Sequence, residues 1–187
     1  MLTGLVGTFG TEALAGFGIG SRVEFLMIPL IFGIGTAMTS IVGANIGANN
    51  IERAETVGIY GGSLAGIVSV FIGLTLALFP DLWIQYFTDD PKASAVTTMY
   101  IQLVGPFYVF QGIGLSLYFA SQGANAMKWP TIATIARFLI ASIGGSIAIY
   151  WLGLGIESIF LSSSSAMMVF GLTIFISIKR GAWRKTS

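Results

Sequence analysis

Few residues in this chain could do chemistry, and their scarcity makes them easy to find. Of its 187 residues 9% are charged, and it has neither histidine nor cysteine. Zinc centres, thiol chemistry, disulfides and histidine acid–base work are thereby excluded together. Inside long apolar stretches a short set remains: Arg22 and Glu24, Tyr108 and Gln111, and Arg137. A charge in hydrocarbon is costly and is retained where it meets a partner, a wet cavity or a passing ligand. The chemistry open to this set is therefore the holding of ions or polar small molecules within a membrane. It contains no acid–base constellation for bond making, so no catalytic residue, metal site or cofactor is assigned and an enzyme is not expected. Ser162–Ser165 has no histidine to activate a nucleophile and reads as a polar stretch of helix. Gly16, Gly18 and Gly20 imitate a nucleotide loop, but no strand precedes them and no phosphate-binding lysine follows.

Each candidate carries two readings. Arg22 and Glu24 stand two apart, a spacing that does not put them on one helical face. Either they line a cavity as ion or substrate ligands, or they snorkel to water near the outer end of their span. Arg137 lies about 13 Å beyond Lys128 along a helix at ~1.5 Å per residue. No acid stands at an obviously matching depth, so its partners are backbone carbonyls or a residue outside this chain. Tyr108 and Gln111 are three apart and share a face. They are either substrate contacts or, for Gln111, interhelical hydrogen-bonding glue.

The elements that must position these residues are membrane helices. The chain is 55% hydrophobic with mean hydropathy +0.85, and its charges cluster in short patches between long blank runs. The first complete span is expected over Gly16–Asn50, kinked at Pro29, after a glycine-broken turn at Thr11–Gly20. Met1–Thr11 reads as the end of a sixth helix, too short to cross alone. A charged connection at Asn49–Thr56 leads to a second span, Val57–Phe79, whose Gly58, Gly62, Gly66 and Gly73 fall on one face. That face is expected to pack closely on a neighbour, with the Gly43/Gly47 end of the first span as the candidate. Trp83, Tyr86 and Phe87 suit the headgroup level. Asp89, Asp90 and Pro91 form a helix start. A third span follows over Ala93–Gln122, bent at Gly105-Pro106. The fourth runs from Lys128 to Trp151 and the fifth from Ser158 to Ile178. The domain reading is one transmembrane helical lobe, 1–178, and a basic tail, 179–187.

These pieces carry a resemblance. The run from Gly20 to Pro29 (GSRVEFLMIP), then Val42–Ala48 (VGANIGA), a short loop and Arg53-Ala54, resembles the MATE (multidrug and toxic compound extrusion) family. Phe87–Pro91 (FTDDP) followed by Tyr100 and Gly105-Pro106, and Ala120–Gly123 (ASQG) before Pro130, add to it in the same order. The resemblance implies an all-α membrane protein. It gives five full transmembrane helices and the end of a sixth, forming the C-terminal lobe of a twelve-helix fold with an N-terminal lobe as partner. It implies export of cationic or aromatic small molecules in exchange for Na+ or H+. Some members carry an acid near Gln111 for the coupling ion, and glutamine cannot titrate, so coupling through this lobe is in doubt. A lipid-linked sugar flippase of the wider superfamily and a non-transporting membrane subunit are the rival readings.

Alternating connections place the Arg53 loop, the Lys128 loop and the tail on one side, with six Lys/Arg against Arg22 and Lys92 on the other. By the positive-inside rule the tail is expected to be cytoplasmic, in a multi-pass protein of a bacterial inner membrane. A net charge of +1 gives no case for nucleic acid as a partner, leaving lipid and a small-molecule substrate.

Overall fold

The computed structural model describes residues 2–184, and every regular element among them is helical. In chain order these are α1 (Leu2–Gly7), α2 (Thr11–Gly47), α3 (Ile51–Leu78), α4 (Asp81–Ile84) and α5 (Pro91–Val104). After a 3-10 turn at Gly105–Phe107 come α6 (Tyr108–Gly123) and α7 (Lys128–Leu139). A π-helical turn at Ile140–Gly144 then leads to α8 (Gly145–Tyr150) and finally α9 (Glu157–Lys179). Among the described residues five stretches are long and apolar enough to cross a bilayer: Thr11–Gly47, Ile51–Leu78, Pro91–Gly123, Lys128–Tyr150 and Glu157–Lys179. The protein is thus an all-α membrane protein. Exposed large apolar residues such as Phe25, Tyr60, Phe71 and Phe138 clothe the outside of the bundle, as a lipid solvent requires.

The first two membrane helices start well before the expected positions. Thr11–Gly20 is helix, not a turn, so α2 begins five residues before the expected Gly16 and ends at Gly47. The Asn49–Thr56 connection shrinks because α3 takes in Glu52, Arg53 and Glu55 from its first turns. A run free of charge measures the hydrocarbon, and a helix is free to continue into the headgroups with charged side chains. α2 also passes through Pro29 without a break, its 37 residues spanning about 55 Å at ~1.5 Å per residue. The bend at Gly105-Pro106 appears as the 3-10 turn. Asp90 caps α5, its carboxylate accepting from the Lys92 amide at 2.9 Å, with Pro91 in the first turn. Asn49 and Asn125 take left-handed conformations just past the ends of α2 and α6, where asparagine is tolerated.

Close backbone approach holds the helices together. α2 runs alongside α5 and then α6. Gly16 abuts the Ala93 carbonyl and Val96, Gly20 receives the Tyr100 ring, Gly35 the Phe119 ring, and Gly43 packs on Gly123. These glycines look like breakers in the sequence, but within lipid the helix keeps its backbone bonds and the missing side chain becomes a seat for a neighbour. The glycine face of α3 packs on α6 rather than on the Gly43/Gly47 end of α2. Gly62 meets Leu117, Gly66 meets Ile113 and Val109, and Gly73 lies against the Gly105 carbonyl. Gly58 instead meets Trp183, and Gly47 has no neighbour within 4 Å of where a Cβ would stand. Hydroxyls stitch the same contacts: Thr97 Oγ1 donates to the Gly16 carbonyl at 3.0 Å, Thr39 Oγ1 to Phe119 at 2.9 Å and Ser164 Oγ to Leu103 at 2.8 Å.

The start of the basic tail folds back onto the bundle. Trp183 is fully buried, and its indole Nε1 donates to Ser121 Oγ at 3.2 Å. Arg184 pairs with Glu55 at 2.6 Å, and that carboxylate holds its guanidinium above the ordinary arginine range. Lys185, Thr186 and Ser187 lie outside the described residues, as does Met1.

Candidate functional site: a charged cavity within the bundle

Glu24 lies 13 residues into α2, about 20 Å from the helix start at ~1.5 Å per residue. The expectation that it sits near the outer end of its span therefore fails, because α2 begins earlier than the glycines suggest. Its side chain is turned inward. The Tyr100 hydroxyl of α5 donates to Glu24 Oε1. Tyr100 is itself fixed from two sides, by edge contacts with Phe17 at 5.4 Å and Phe160 at 5.1 Å, and Gly20 leaves the space its ring fills.

Arg137 approaches from α7. Its guanidinium stands 5.2 Å over the Phe170 ring of α9, a cation–π contact that compensates part of its lost hydration. Glu24, Tyr100 and Arg137 line one cavity of about 500 Å³. Phe17, Phe138 and the hydroxyls of Ser21, Thr134, Ser142 and Ser163 complete much of its wall. Glu24 and Arg137 face the same space from α2 and α7. The expectation that no acid matches the depth of Arg137 is thus overturned. Counting the depth of Glu24 from Gly16 instead of Thr11 concealed the match.

The π-helical turn follows directly after Leu139 and brings Ala141 and Ser142 to the cavity. Such a turn widens the helix by one residue and recurs at functional positions. It carries no proline or charge, so nothing in the sequence marks it.

The other candidates go elsewhere. Arg22 is exposed and stands 5.3 Å over the Phe87 ring, outside the cavity lining. The two-residue spacing turns it to a different side of α2 from Glu24. Tyr108 and Gln111 do not line the cavity either. Both are buried on α6, and neither the Tyr108 hydroxyl, which lies beside Tyr100, nor Gln111 Oε1 has a partner in hydrogen-bonding geometry. Tyr100 and the serines are residues that the sequence reading missed. The signal available was a tyrosine within an apolar span, one of the polar side chains that such a span retains for contact or binding. Among the described residues no group of three or more acids, histidines or cysteines could hold a metal ion.

Comparison with known proteins places this architecture. A profile described as MatE matches residues 1–147. The chain is 29% identical over 186 residues to the probable multidrug resistance protein NorM of Thermotoga maritima, covering 94% of this chain and 38% of that protein. It is 23% identical over 163 residues to the multidrug export protein MepA of Staphylococcus haemolyticus, covering 80% of this chain and 36% of that protein. Among solved structures, the outward-facing conformation of a multidrug resistance MATE family transporter of the MOP superfamily gives a TM-score of 0.87 at 23% identity, over 98% of this chain and 42% of that one. A MOP superfamily transporter from Pyrococcus furiosus, described as having a binding pocket of reverse polarity, gives a TM-score of 0.86 at 23% identity, over 97% of this chain and 41% of that one. The chain spans about two fifths of the length of these relatives, at 38% and 36% of the two curated ones. Their names are those of export proteins and transporters, not of enzymes. With the profile covering well over half of the chain, at residues 1–147, this membrane protein belongs to the MatE family.

Proposed function

We propose that this chain forms one lobe of a secondary transporter that exports small cationic or aromatic compounds in antiport with Na+ or H+, working by alternating access against a second lobe. The observation that carries this reading is the Glu24–Tyr100–Arg137 cavity. Three polar groups are gathered at depth in an otherwise apolar bundle, where each is costly unless a ligand or its pathway requires it. The cavity counts against a purely structural membrane subunit, which has no use for unpaired charge beside a void. It also counts against a sugar flippase, which would want several basic residues there, since Arg22 lies outside and Arg137 is the basic residue of the lining. The neutral Gln111 directs proton or Na+ coupling away from α6, either to Glu24 or to the facing lobe. The proposed setting is a bacterial inner membrane with the 179–187 tail cytoplasmic.

The test has two arms: dye extrusion from cells expressing this chain alone, and from cells co-expressing it with the N-terminal lobe of a MatE relative. Extrusion only in the second arm supports the half-transporter reading. Ion-coupled extrusion by the chain alone would replace it with a self-assembled transporter. No extrusion in either arm, with both lobes inserted, would count against export.

A further inference from the structure

The two charges of the cavity are held apart. Among the described residues the ion pairs within 4.0 Å are Lys92 with Glu12 at 3.7 Å and Arg184 with Glu55 at 2.6 Å, and Glu24 with Arg137 is not among them. In a low-dielectric bundle opposite charges attract strongly, and direct contact is the simplest way for each to offset its lost hydration. Here each has its own tether instead. Tyr100 of α5 holds the Glu24 carboxylate on one side, and Phe170 of α9 holds the Arg137 guanidinium on the other. The π-helical turn that begins three residues past Arg137 brings Ala141 and Ser142 to the same cavity. The result is a cavity of about 500 Å³ with an acid and a guanidinium on different helices and aromatic walls, Phe17 and Phe138, around them. That volume lies within the range of small-molecule sites, roughly 300–1,000 Å³.

The charge pattern selects among ligands. A simple cation would satisfy Glu24 but meet the field of Arg137. A simple anion would do the reverse. A molecule with a positive and a negative end neutralises both at once and restores the contact that the tethers prevent.

We propose that this cavity binds a zwitterionic small molecule of aromatic amino acid size, its ammonium group at Glu24 and its carboxylate at Arg137. The inference rests on the reading of the cavity as the ligand site and narrows the substrate class from cationic compounds to those that also carry an anionic group.

The test is equilibrium binding to the purified full chain in lipid nanodiscs at about pH 6, where three probes of one shape, tryptophan, tryptophanamide and N-acetyltryptophan, are zwitterion, cation and anion. Each analogue forgoes one hydrogen bond between charged groups, so tryptophan should bind at least roughly tenfold tighter than either. Arg137→Gln should erase its advantage over the amide, and Glu24→Gln its advantage over the N-acetyl form. Thermal melting of each variant shows whether it is folded. If either fails to fold, the three affinities of the unsubstituted chain decide alone. The amide binding as tightly as tryptophan, or none of the three binding at millimolar concentration, would overturn the proposal. The readout needs neither transport nor a second lobe. An export assay that fails while this selectivity holds would count against the transporter reading and leave the zwitterion site standing.

Discussion

Two regions of the bundle use small and polar residues to opposite ends. Along the seam between α3 and α6 the glycines remove space: Gly62, Gly66 and Gly73 let Leu117, Ile113 and the Gly105 backbone come to contact. Across the gap between α2 and α7 the polar groups keep space: Glu24 and Arg137 are tethered on separate helices and about 500 Å³ stays open. Apolar side chains gain nothing from leaving lipid for one another, so a membrane bundle must be closed by backbone proximity and interhelical hydrogen bonds. Where those devices are missing, polar side chains can hold a cavity. The two regions share no lining residue: the cavity wall comes from α1, α2, α5, α7, the π-helical turn and α9.

The comparison breaks most readily at the seam. Gly73→Leu should prevent accumulation of folded protein, because even a Cβ there would collide with the Gly105 carbonyl, and backbone cannot yield as a side chain can. Gly47→Leu, with open space at that position, should be harmless in the same fluorescence-detected gel-filtration assay. Equal behaviour of the two would deny the seam its role.

The cavity should respond in function before stability. In a complete transporter containing this lobe, Arg137→Ala or Glu24→Ala should lower dye export by an order of magnitude or more while protein levels stay near normal. That loss matches one charged hydrogen bond of about 1.5–3 kcal/mol. Expression falling in step with activity would mark the pair as structural. Trp183→Ala should lower the melting temperature through a loss of roughly 3 kcal/mol, the usual scale for emptying a large aromatic site. An unchanged melt would mean that the buried indole closes nothing.

Smaller effects sharpen the contrast. Gln111→Leu removes a buried carbonyl oxygen without a partner, so it should leave the melt unchanged or raise it by up to about 1 kcal/mol of stability. A marked loss would reveal a hidden ligand of Gln111. Arg184→Ala should change least, since its pair with Glu55 is formed by an exposed side chain at the water boundary. A large drop in melting temperature would show that the tail is fastened through this pair and not through Trp183.

Much of the fold was legible from the sequence. Runs poor in charge located all five spans, Gly105-Pro106 marked the 3-10 interruption, and Asp90-Pro91 marked a helix start, because the bilayer imposes length and composition on each segment separately. Helix ends were less legible, since charged residues such as Glu52 and Arg53 continue a helix beyond the hydrocarbon without any mark in the pattern. The glycines were visible, but not their partners.

The candidate site divides along the same line. The sequence by itself determined which residues were unusual: charged or polar groups in apolar stretches announce their cost by type alone. Only the tertiary structure decided that Glu24 meets Tyr100 and faces Arg137, while Arg22 turns out to Phe87. Those pairings join α2, α5 and α7 across more than a hundred residues of chain, from Glu24 to Arg137. They depend on helix rotation and on the close approach that Gly16 and Gly20 permit. Rotation and approach are set by packing between helices, and no local pattern within one helix records them.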